Sequence, residues 1–498
     1  MFLTTLATMF SPLHLILILF GAVVGMIMGA IPGMSGTLAI TVILPMTFSM
    51  DWQTSLCLLC GIWIGSASGS FIGSILLGIP GTPSSIATVY DGYEFTKQGD
   101  PVRALSAGTV ANFIGTTPSL IVAAVASPLI ARWAVKMGPW EYFGLAFCAI
   151  VMVVSLSKGN VFGGFIVTAI ALMVRSVGYS PISSTPRFTF NNYYLAGGFS
   201  LVCVMTGIFA GSTILLEYAR GEKAKSDSSR IKVSRFRWPG KDFADNKLNV
   251  LVSFLIGLWI GFLPGLGGSM SNLLAYSTAR NMSKHPEKFG TGCIDGVIAS
   301  EVANNASVGG AVIPFVALGI PGDATTAVLL GALAIQGIDT GPLIFRNAPE
   351  VVYLVIGVLM LGAIFLVLFE AAVMPLMPMI LRVPYHFLYP LILVLCLLGA
   401  YSSTSNMFIL WMSILFTLLG LFMQWAKLPN SPFMLTYVLG TILESNLRKA
   451  VSYGAGSWLP FVTRPVSLIL LLVSIGSLVL PALRKKPADA AAETPAEE

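Results

Sequence analysis

An all-α, polytopic membrane protein built from two inverted repeats with re-entrant or broken helices is the fold class this sequence predicts. Three observations point to it. Of 498 residues, 55% are apolar and only 10% are charged, against roughly 25% charged in an ordinary soluble domain. Apolar stretches such as Leu13 to Ile31, Val351 to Val373 and Val466 to Leu483 carry almost no charge, and a bilayer core takes about 20 such residues per helix. The third is internal similarity. Gly25-Met-Ile-Met-Gly29-Ala-Ile-Pro32-Gly33-Met-Ser35-Gly36 returns as Gly257-Leu-Trp-Ile-Gly261-Phe-Leu-Pro264-Gly265-Leu-Gly267-Gly268, and Gly78-Ile79-Pro80-Gly81 returns as Gly319-Ile320-Pro321-Gly322. A further echo sets Lys97-Gln98-Gly99 against Ile335-Gln336-Gly337. Three ordered matches make each half a Pro-Gly break, helices, a second Pro-Gly break and a helix.

By length and hydropathy the chain holds roughly ten to twelve spanning segments. Residues 1–220 read as the first transmembrane repeat, 221–248 as a cytoplasmic linker and 249–445 as the second repeat. A C-terminal transmembrane segment follows at 446–485 and a disordered cytoplasmic tail at 486–498. The linker holds Lys223, Lys225, Arg230, Lys232, Arg235, Arg237, Lys241 and Lys247, and the positive-inside rule puts it in the cytoplasm with Arg484, Lys485 and Lys486. From Met1 to Thr96 there is no Lys or Arg, which lacks the basic start of a secretory signal and favours a non-cytoplasmic Met1. The second repeat starts beside the cytoplasmic loop, so the two repeats begin on opposite sides and enclose one site between them.

Composition also excludes functions. The net charge of +6 sits in loops without interleaved aromatics, so no nucleic acid is expected. No GxxxxGK[ST] exists in the chain, which sets aside an ATP-driven pump unless another subunit supplies that motif. Cys57 and Cys60 form one CxxC without a second pair or a His cluster, and the six cysteines lie mostly in apolar runs; they read as packing residues, with no metal and no cofactor.

The breaks carry the chemistry. An isolated Gly-Pro in a membrane helix is a kink, but corresponding Gly/Pro-interrupted segments in two halves point to a transporter's central site. The apolar runs Phe71 to Ile79 and Ala311 to Ile320 span about 15 Å as helix, half a bilayer core, so each is expected to be a re-entrant arm. Thr82-Pro83-Ser84-Ser85 reads as a helix start with Thr82 at the N-cap and Pro83 at N1, and Asp323 takes the capping place before Ala324-Thr325-Thr326. Two helix N-termini at mid-depth would each present free N–H groups and about half a positive charge, an anion site made without Arg. Pro80, Gly81, Thr82 and Ser84 with Pro321, Gly322, Thr325 and Thr326 are therefore the candidate substrate-binding residues. Ser35, Ser68, Asn304, Asn305 and Ser307 join them, because hydrocarbon tolerates no unsatisfied polar groups. Ser66 and Ser70 share that setting as cavity or interhelical groups. Asp323 and Glu301 are the candidate cation-coupling residues for Na+ or H+, the bland readings being an N-cap and a residue at the membrane edge.

At these residues the chain resembles the large membrane subunit of the tripartite tricarboxylate transporters, from about Gly21 to Arg464. The stretches that carry the resemblance are Gly29-Ala-Ile-Pro-Gly, Gly78-Ile-Pro-Gly-Thr-Pro, Asp91-Gly92-Tyr93, Ser300-Glu-Val-Ala-Asn-Asn-Ala-Ser-Val-Gly-Gly and Leu318-Gly-Ile-Pro-Gly-Asp-Ala-Thr-Thr-Ala. The resemblance implies a secondary active transporter, not an enzyme, in the bacterial inner membrane. It would import a tricarboxylate or related carboxylate by symport with a cation, beside a small membrane subunit and fed by a periplasmic solute-binding protein. Two rivals remain: an anion channel, and an intramembrane serine protease using Gly33-Met34-Ser35-Gly36 with His14, His285 or His386 as base. The repeat puts Gly267 where Ser35 stands, which argues for a small residue there and against a nucleophile.

Overall fold

Glycines that let two backbones touch set the architecture of the protein, whose computed structural model describes residues 8–155, 160–220, 233–380, 385–404 and 406–483. The first half runs α1 (Pro12–Ala30), α2 (Gly36–Ile43), α3 (Trp52–Leu77), α4 (Ile86–Lys97), α5 (Pro101–Ala134), α6 (Pro139–Ser155) and α7 (Val161–Arg175). A two-residue antiparallel pair follows, β1 (Gly178–Tyr179) with β2 (Pro186–Arg187), the one departure from an all-helical chain among the described residues. Then come α8 (Lys247–Phe262), α9 (Gly267–Met282), α10 (Ile294–Leu318), α11 (Ala324–Ile335), α12 (Pro349–Val373), α13 (Tyr385–Thr404), α14 (Met407–Trp425), α15 (Asn430–Tyr453) and α16 (Pro465–Leu483). Of the expected linker, 221–232 lies outside the described residues, as do Arg484, Lys485, Lys486 and the tail to 498.

Local sequence explains the helix ends. Asp51 caps α3 by accepting from the N–H groups of Gln53 and Thr54, both at 3.1 Å, and Asn160 caps α7 by accepting from Gly163 N–H at 2.8 Å. Gly78 ends α3 at φ 70 and Gly319 ends α10 at φ 68, a left-handed position that only glycine adopts without strain. Gly33 and Gly265, in the turns after α1 and α8, share φ 82.

Five stretches are long and apolar enough to cross a bilayer: Pro12–Ala30, Trp52–Leu77, Pro101–Ala134, Pro349–Ile380 and Met407–Trp425. Further apolar helices, such as Lys247–Phe262 and Ala324–Ile335, are shorter. α3 is the central one, 94% buried along its apolar window, while α14 is only 28% buried. The outward side of α14 shows Trp411, Leu415, Leu418 and Phe422, an apolar surface that lipid covers at no cost. This is a multi-pass membrane protein.

The two halves repeat one packing motif. A Cβ on Gly25 would lie 2.2 Å from the Ile62 carbonyl oxygen, and one on Gly29 would lie 2.3 Å from that of Ser66. In the second half a Cβ on Gly257 would lie 2.3 Å from Ala303 O, and on Gly261 2.2 Å from Ser307 O. α1 thus lies on α3 as α8 lies on α10, through small residues four apart. The halves also interlock: α5 packs on α10 and α12 on α3, while α4 meets α9 and α11 meets α2. Gln98 at the end of α4 donates to Thr291 O at 3.0 Å, and its counterpart Gln336 after α11 donates to Thr47 O at 3.1 Å. Each half is clasped by the other through the same glutamine.

Two expectations need correction. The runs before the second breaks are not short re-entrant arms; they are the last turns of continuous 26- and 25-residue helices, α3 and α10, because Gly65, Ser66 and Ser68, or Asn304 and Asn305, pack inside the bundle without ending the helix. The short elements are those after the breaks, α2 with 8 residues and α4 and α11 with 12 each. The boundary at 445/446 falls inside α15, and the C-terminal helix begins at Pro465.

Gly29→Val and Gly261→Val each force a side chain into a carbonyl oxygen of the partner helix, so each should destabilise the fold by about 3 kcal/mol or more. Thermal melts of the purified protein in detergent should show a large drop in Tm for both, against no change for Gly476→Ala, whose Cβ would meet nothing within 4 Å.

Candidate functional site

Four helix starts, two from each half, border one cavity of 690 Å³ in the middle of the bundle. They are the start of α2 (Ser35, Gly36, Thr37), the turn into α4 (Thr82, Pro83, Ser84), the start of α9 (Gly267, Gly268, Ser269) and the start of α11 (Asp323, Ala324, Thr325). The halves meet across it. Thr37 Oγ1 and Thr325 Oγ1 are 3.0 Å apart, and a Cβ on Gly268 would lie 2.9 Å from Ser84 Cβ and 2.4 Å from Asn304 Oδ1. Ser66, Asn304 and Ser307, on the crossing of α3 and α10, form part of its wall.

Three of the four starts are already capped. Ser35 Oγ accepts from Leu38 N–H at 3.1 Å. Asp323 Oδ1 accepts from Thr326 N–H at 2.7 Å, while Thr326 Oγ1 accepts in return from Asp323 N–H at 2.8 Å, a reciprocal capping box. α4 is capped in trans, since Asn272 Oδ1 of α9 accepts from Ala87 N–H at 2.8 Å. The expected N-cap, Thr82, does not serve: its chain opens a single 3-10 turn, Pro83–Ser85, and its hydroxyl bonds Ser84 Oγ at 2.7 Å. α9 receives no side-chain cap, because Gly267 stands where its counterpart Ser35 has a hydroxyl. The positive end of the α9 dipole faces the cavity open.

Of the residues singled out by sequence, Ser35, Thr82, Ser84, Asn304, Ser307, Asp323 and Thr325 line the cavity. Ser66 lines it too, and the others lie behind it. Gly81 and Gly322 touch helix backbone instead: a Cβ on Gly81 would lie 2.1 Å from Gly29 O, and one on Gly322 3.1 Å from Gly261 O. With Pro80 and Pro321 they seat each second break against the first. Thr326 is fully buried and spent on its capping box. Ser68 and Asn305 belong to a buried lattice, in which Ser68 Oγ donates to Asn305 Oδ1 at 3.0 Å and Asn305 Nδ2 donates to Asn112 Oδ1 at 2.6 Å. Glu301 is fully buried rather than at an edge; its Oε1 accepts the Thr88 hydroxyl, and Thr88 Oγ1 lies 3.0 Å from Ser300 Oγ.

The cavity also holds what motif reading missed. Lys427, in the turn between α14 and α15, lines the rim with Asn160, Asn430 and Ser431; the Lys427 carbonyl accepts from Asn160 Nδ2 at 3.1 Å. No repeat marks it, since it lies more than 100 residues past the second break. Among the described residues Lys427 and Asp323 are the two charged side chains lining the cavity. They differ in placement: Lys427 is exposed at the mouth, whereas a Cβ on Gly267 would lie 2.9 Å from Asp323 Cβ and 3.5 Å from its Oδ2.

Among the described side chains no protease arrangement forms around Ser35, and the His386 side chain lies outside them. His14 is bonded to Thr8 O, Ser11 Oγ and Thr54 Oγ1, and His285 is exposed beside Glu287.

Two relatives are similar to this chain over most of their own length. An uncharacterized 52.8 kDa protein in the TAR-I ttuC' 3' region of Agrobacterium vitis is 32% identical over 485 residues, covering 96% of both chains. An uncharacterized protein in the TAR-II ttuC' 3' region of the same organism is 34% identical over 233 residues, 46% of this chain and 96% of its own length. No solved structure matches. Residues 15–435 match the profile of the tripartite tricarboxylate transporter TctA family, a family of transporters and not of enzymes, and with that match over both halves and the cavity between them the chain belongs to this family.

Proposed function

We propose that this chain is the permease of a secondary transporter that imports a tricarboxylate or related carboxylate, coupled to a cation and held in the bacterial inner membrane. A small membrane subunit and a periplasmic solute-binding protein complete it. The observation that carries the reading is the uncapped start of α9 in a 690 Å³ cavity, a volume within the range that holds a small-molecule ligand. The free N–H groups at Gly267, Gly268 and Ser269 take a carboxylate, and Ser84, Asn304 and Ser307 offer it hydrogen bonds. Lys427 at the mouth draws the anion in.

Asp323 supplies the coupling. Its carboxylate sits beside Gly267, so an anion on the α9 start is repelled until a cation, Na+ or H+, neutralises Asp323. Each ligand then strengthens the binding of the other by the same factor. Its Oδ1 stays on the cap while Oδ2 faces Gly267, which separates the structural from the coupling role.

Inversion of the repeats is part of the reading, with residues 233–248 on the cytoplasmic side. What supports it is where each half begins. The start of α1 is tied to that of α3 by His14 Nε2 and Thr54 Oγ1 at 3.2 Å, the end where Gln336 also bonds. The start of α8 is tied to that of α10 by Asn249 Nδ2 and Asp295 O at 3.0 Å. This second end carries Gln98 and the Arg237–Asp100 pair, and the 26-residue α3 runs from one end to the other, about 39 Å.

Three experiments test this. In vesicles containing the permease, its membrane partner and loaded binding protein, Asp323→Asn should still insert and bind carboxylate but lose the cation dependence of uptake. Unchanged ion dependence would leave Asp323 as a cap alone. Lys427→Gln should raise KM about two- to fivefold at low salt and less at high salt, as an exposed charge does; an unchanged KM at low salt removes Lys427 from the entry path. In a background without the native cysteines, Phe10→Cys and Trp238→Cys should react with an impermeant maleimide from opposite faces of the membrane. Same-face labelling would sink the inversion.

A further inference from the structure

One carboxyl in the bundle has no part in the cavity and no partner for one of its oxygens. Glu370, on α12, is 1% exposed, and Glu370 Oε1 has no hydrogen-bond partner among the described residues. It faces a closed void lined by Ser68 of α3, by Thr109, Asn112 and Phe113 of α5, and by α12 itself. The void has no room for a water molecule.

The groups around it bring no countercharge. α3 contributes Ser68, already bonded to Asn305. From α5 come Thr109 and Asn112, and both nitrogen and oxygen of the Asn112 amide are taken, by Ser68 O at 2.8 Å and Asn305 at 2.6 Å. The charged groups of α5 lie at its ends, where Arg103 pairs with Asp242 at 2.6 Å and Arg132 falls in the last turn. On α1 the titratable group is His14, bonded to Thr8, Ser11 and Thr54. α10 brings a second acid, Glu301, fully buried and with Oε2 also unpartnered. An ionised carboxylate without water or cation, and with the Thr109 hydroxyl beside it as donor, is strongly disfavoured in such a place, and two acids sharing one region disfavour it further.

We propose that Glu370 carries a coupling proton in addition to the cation at Asp323: it is held as the carboxylic acid in this closed void and gives the proton to water when the bundle rearranges and the void hydrates. The step balances simply, with the Glu370 O–H bond breaking, hydronium forming, and the carboxylate retaking a proton when water reaches it from the other face. The void is joined to the substrate cavity at the α3–α10 crossing. Ser68 and Asn305 stand next in sequence to Ala67 and Asn304, which line the cavity, and Asn304 Nδ2 donates to Ala67 O at 3.2 Å. A rearrangement of the cavity therefore moves the void's own wall. The inference rests on the carrier reading above and names H+ as a coupling ion, with a carrier residue outside the substrate site.

Glu370→Gln, Glu301→Gln and wild type decide it in two measurements. In the purified full chain, the infrared carbonyl stretch of a protonated carboxylic acid near neutral pH should be present in wild type and diminished in Glu370→Gln. In vesicles with the partner subunit and loaded binding protein, Glu370→Gln should keep exchange of labelled for unlabelled carboxylate while accumulation driven by an imposed pH gradient falls to that of empty vesicles. Glutamine matches the neutral acid in shape, so the fold should stand. Identical infrared spectra, or full pH-driven accumulation by Glu370→Gln, would overturn the proposal, as would loss of the infrared band in Glu301→Gln alone. If wild type moves no carboxylate in either mode, the carrier reading fails, while the infrared measurement still decides the state of Glu370.

Discussion

Contact between glycine and a facing carbonyl, made twice, is the constraint on which the rest depends. In a bilayer no hydrophobic force drives one apolar helix onto another, so affinity comes from close packing and from polar contacts. Gly25 and Gly29 against Ile62 and Ser66, and Gly257 and Gly261 against Ala303 and Ser307, bring the backbones closer than any side chain would allow. Because those helices end at the first breaks, the same contacts fix where Pro32 and Pro264 turn the chain. The second breaks are then seated on the first, Gly81 on Gly29 O and Gly322 on Gly261 O. Four broken ends converge because six glycine contacts leave them nowhere else to go.

Convergence by itself would give a symmetric and inert centre. Function enters where the repeats differ. Ser35 caps α2, while Gly267 leaves α9 uncapped; Asp323 caps α11 with a charge, while Thr82 turns its hydroxyl to Ser84. Asn272 adds a cap across the interface, to α4. One positive helix end and the Asp323 carboxyl therefore stand side by side in a cavity otherwise lined by hydroxyls, amides and apolar groups, with Lys427 at its rim. In the proposed carrier that pairing makes an anion and a cation each better bound with the other than alone, as coupled transport requires.

Behind the cavity a lattice of Ser68, Asn112, Asn305 and Thr116 holds α3, α5 and α10 together. Its members satisfy one another almost completely, which makes it rigid. Against that background the unpartnered oxygens of Glu301 and Glu370 stand out, since a buried acid in a membrane bundle is expensive unless the protein uses it.

Much of this was legible in the sequence. Apolar runs of bilayer length specify helices, because the backbone must satisfy its own hydrogen bonds in lipid. The duplicated Gly-Pro motifs mark where those helices break; Ser35, Thr82, Ser84, Asp323 and Thr325 could be picked as cavity residues since each lies in or beside a break, and Asn304 and Ser307 since hydrocarbon would leave their polar groups unsatisfied. Other features were not legible, for physical reasons. Whether Phe71 to Ile79 ends a long helix or forms a short arm depends on side chains such as Ser68 finding partners on other helices. Which helix start is open depends on caps that arrive in trans, as from Asn272. Lys427 reaches the cavity through a turn with no counterpart in the repeat. Sequence determined the helices, their breaks and the small residues that let them touch; only the tertiary structure decided which broken end stays uncapped, because that depends on neighbours brought from the other half of the chain.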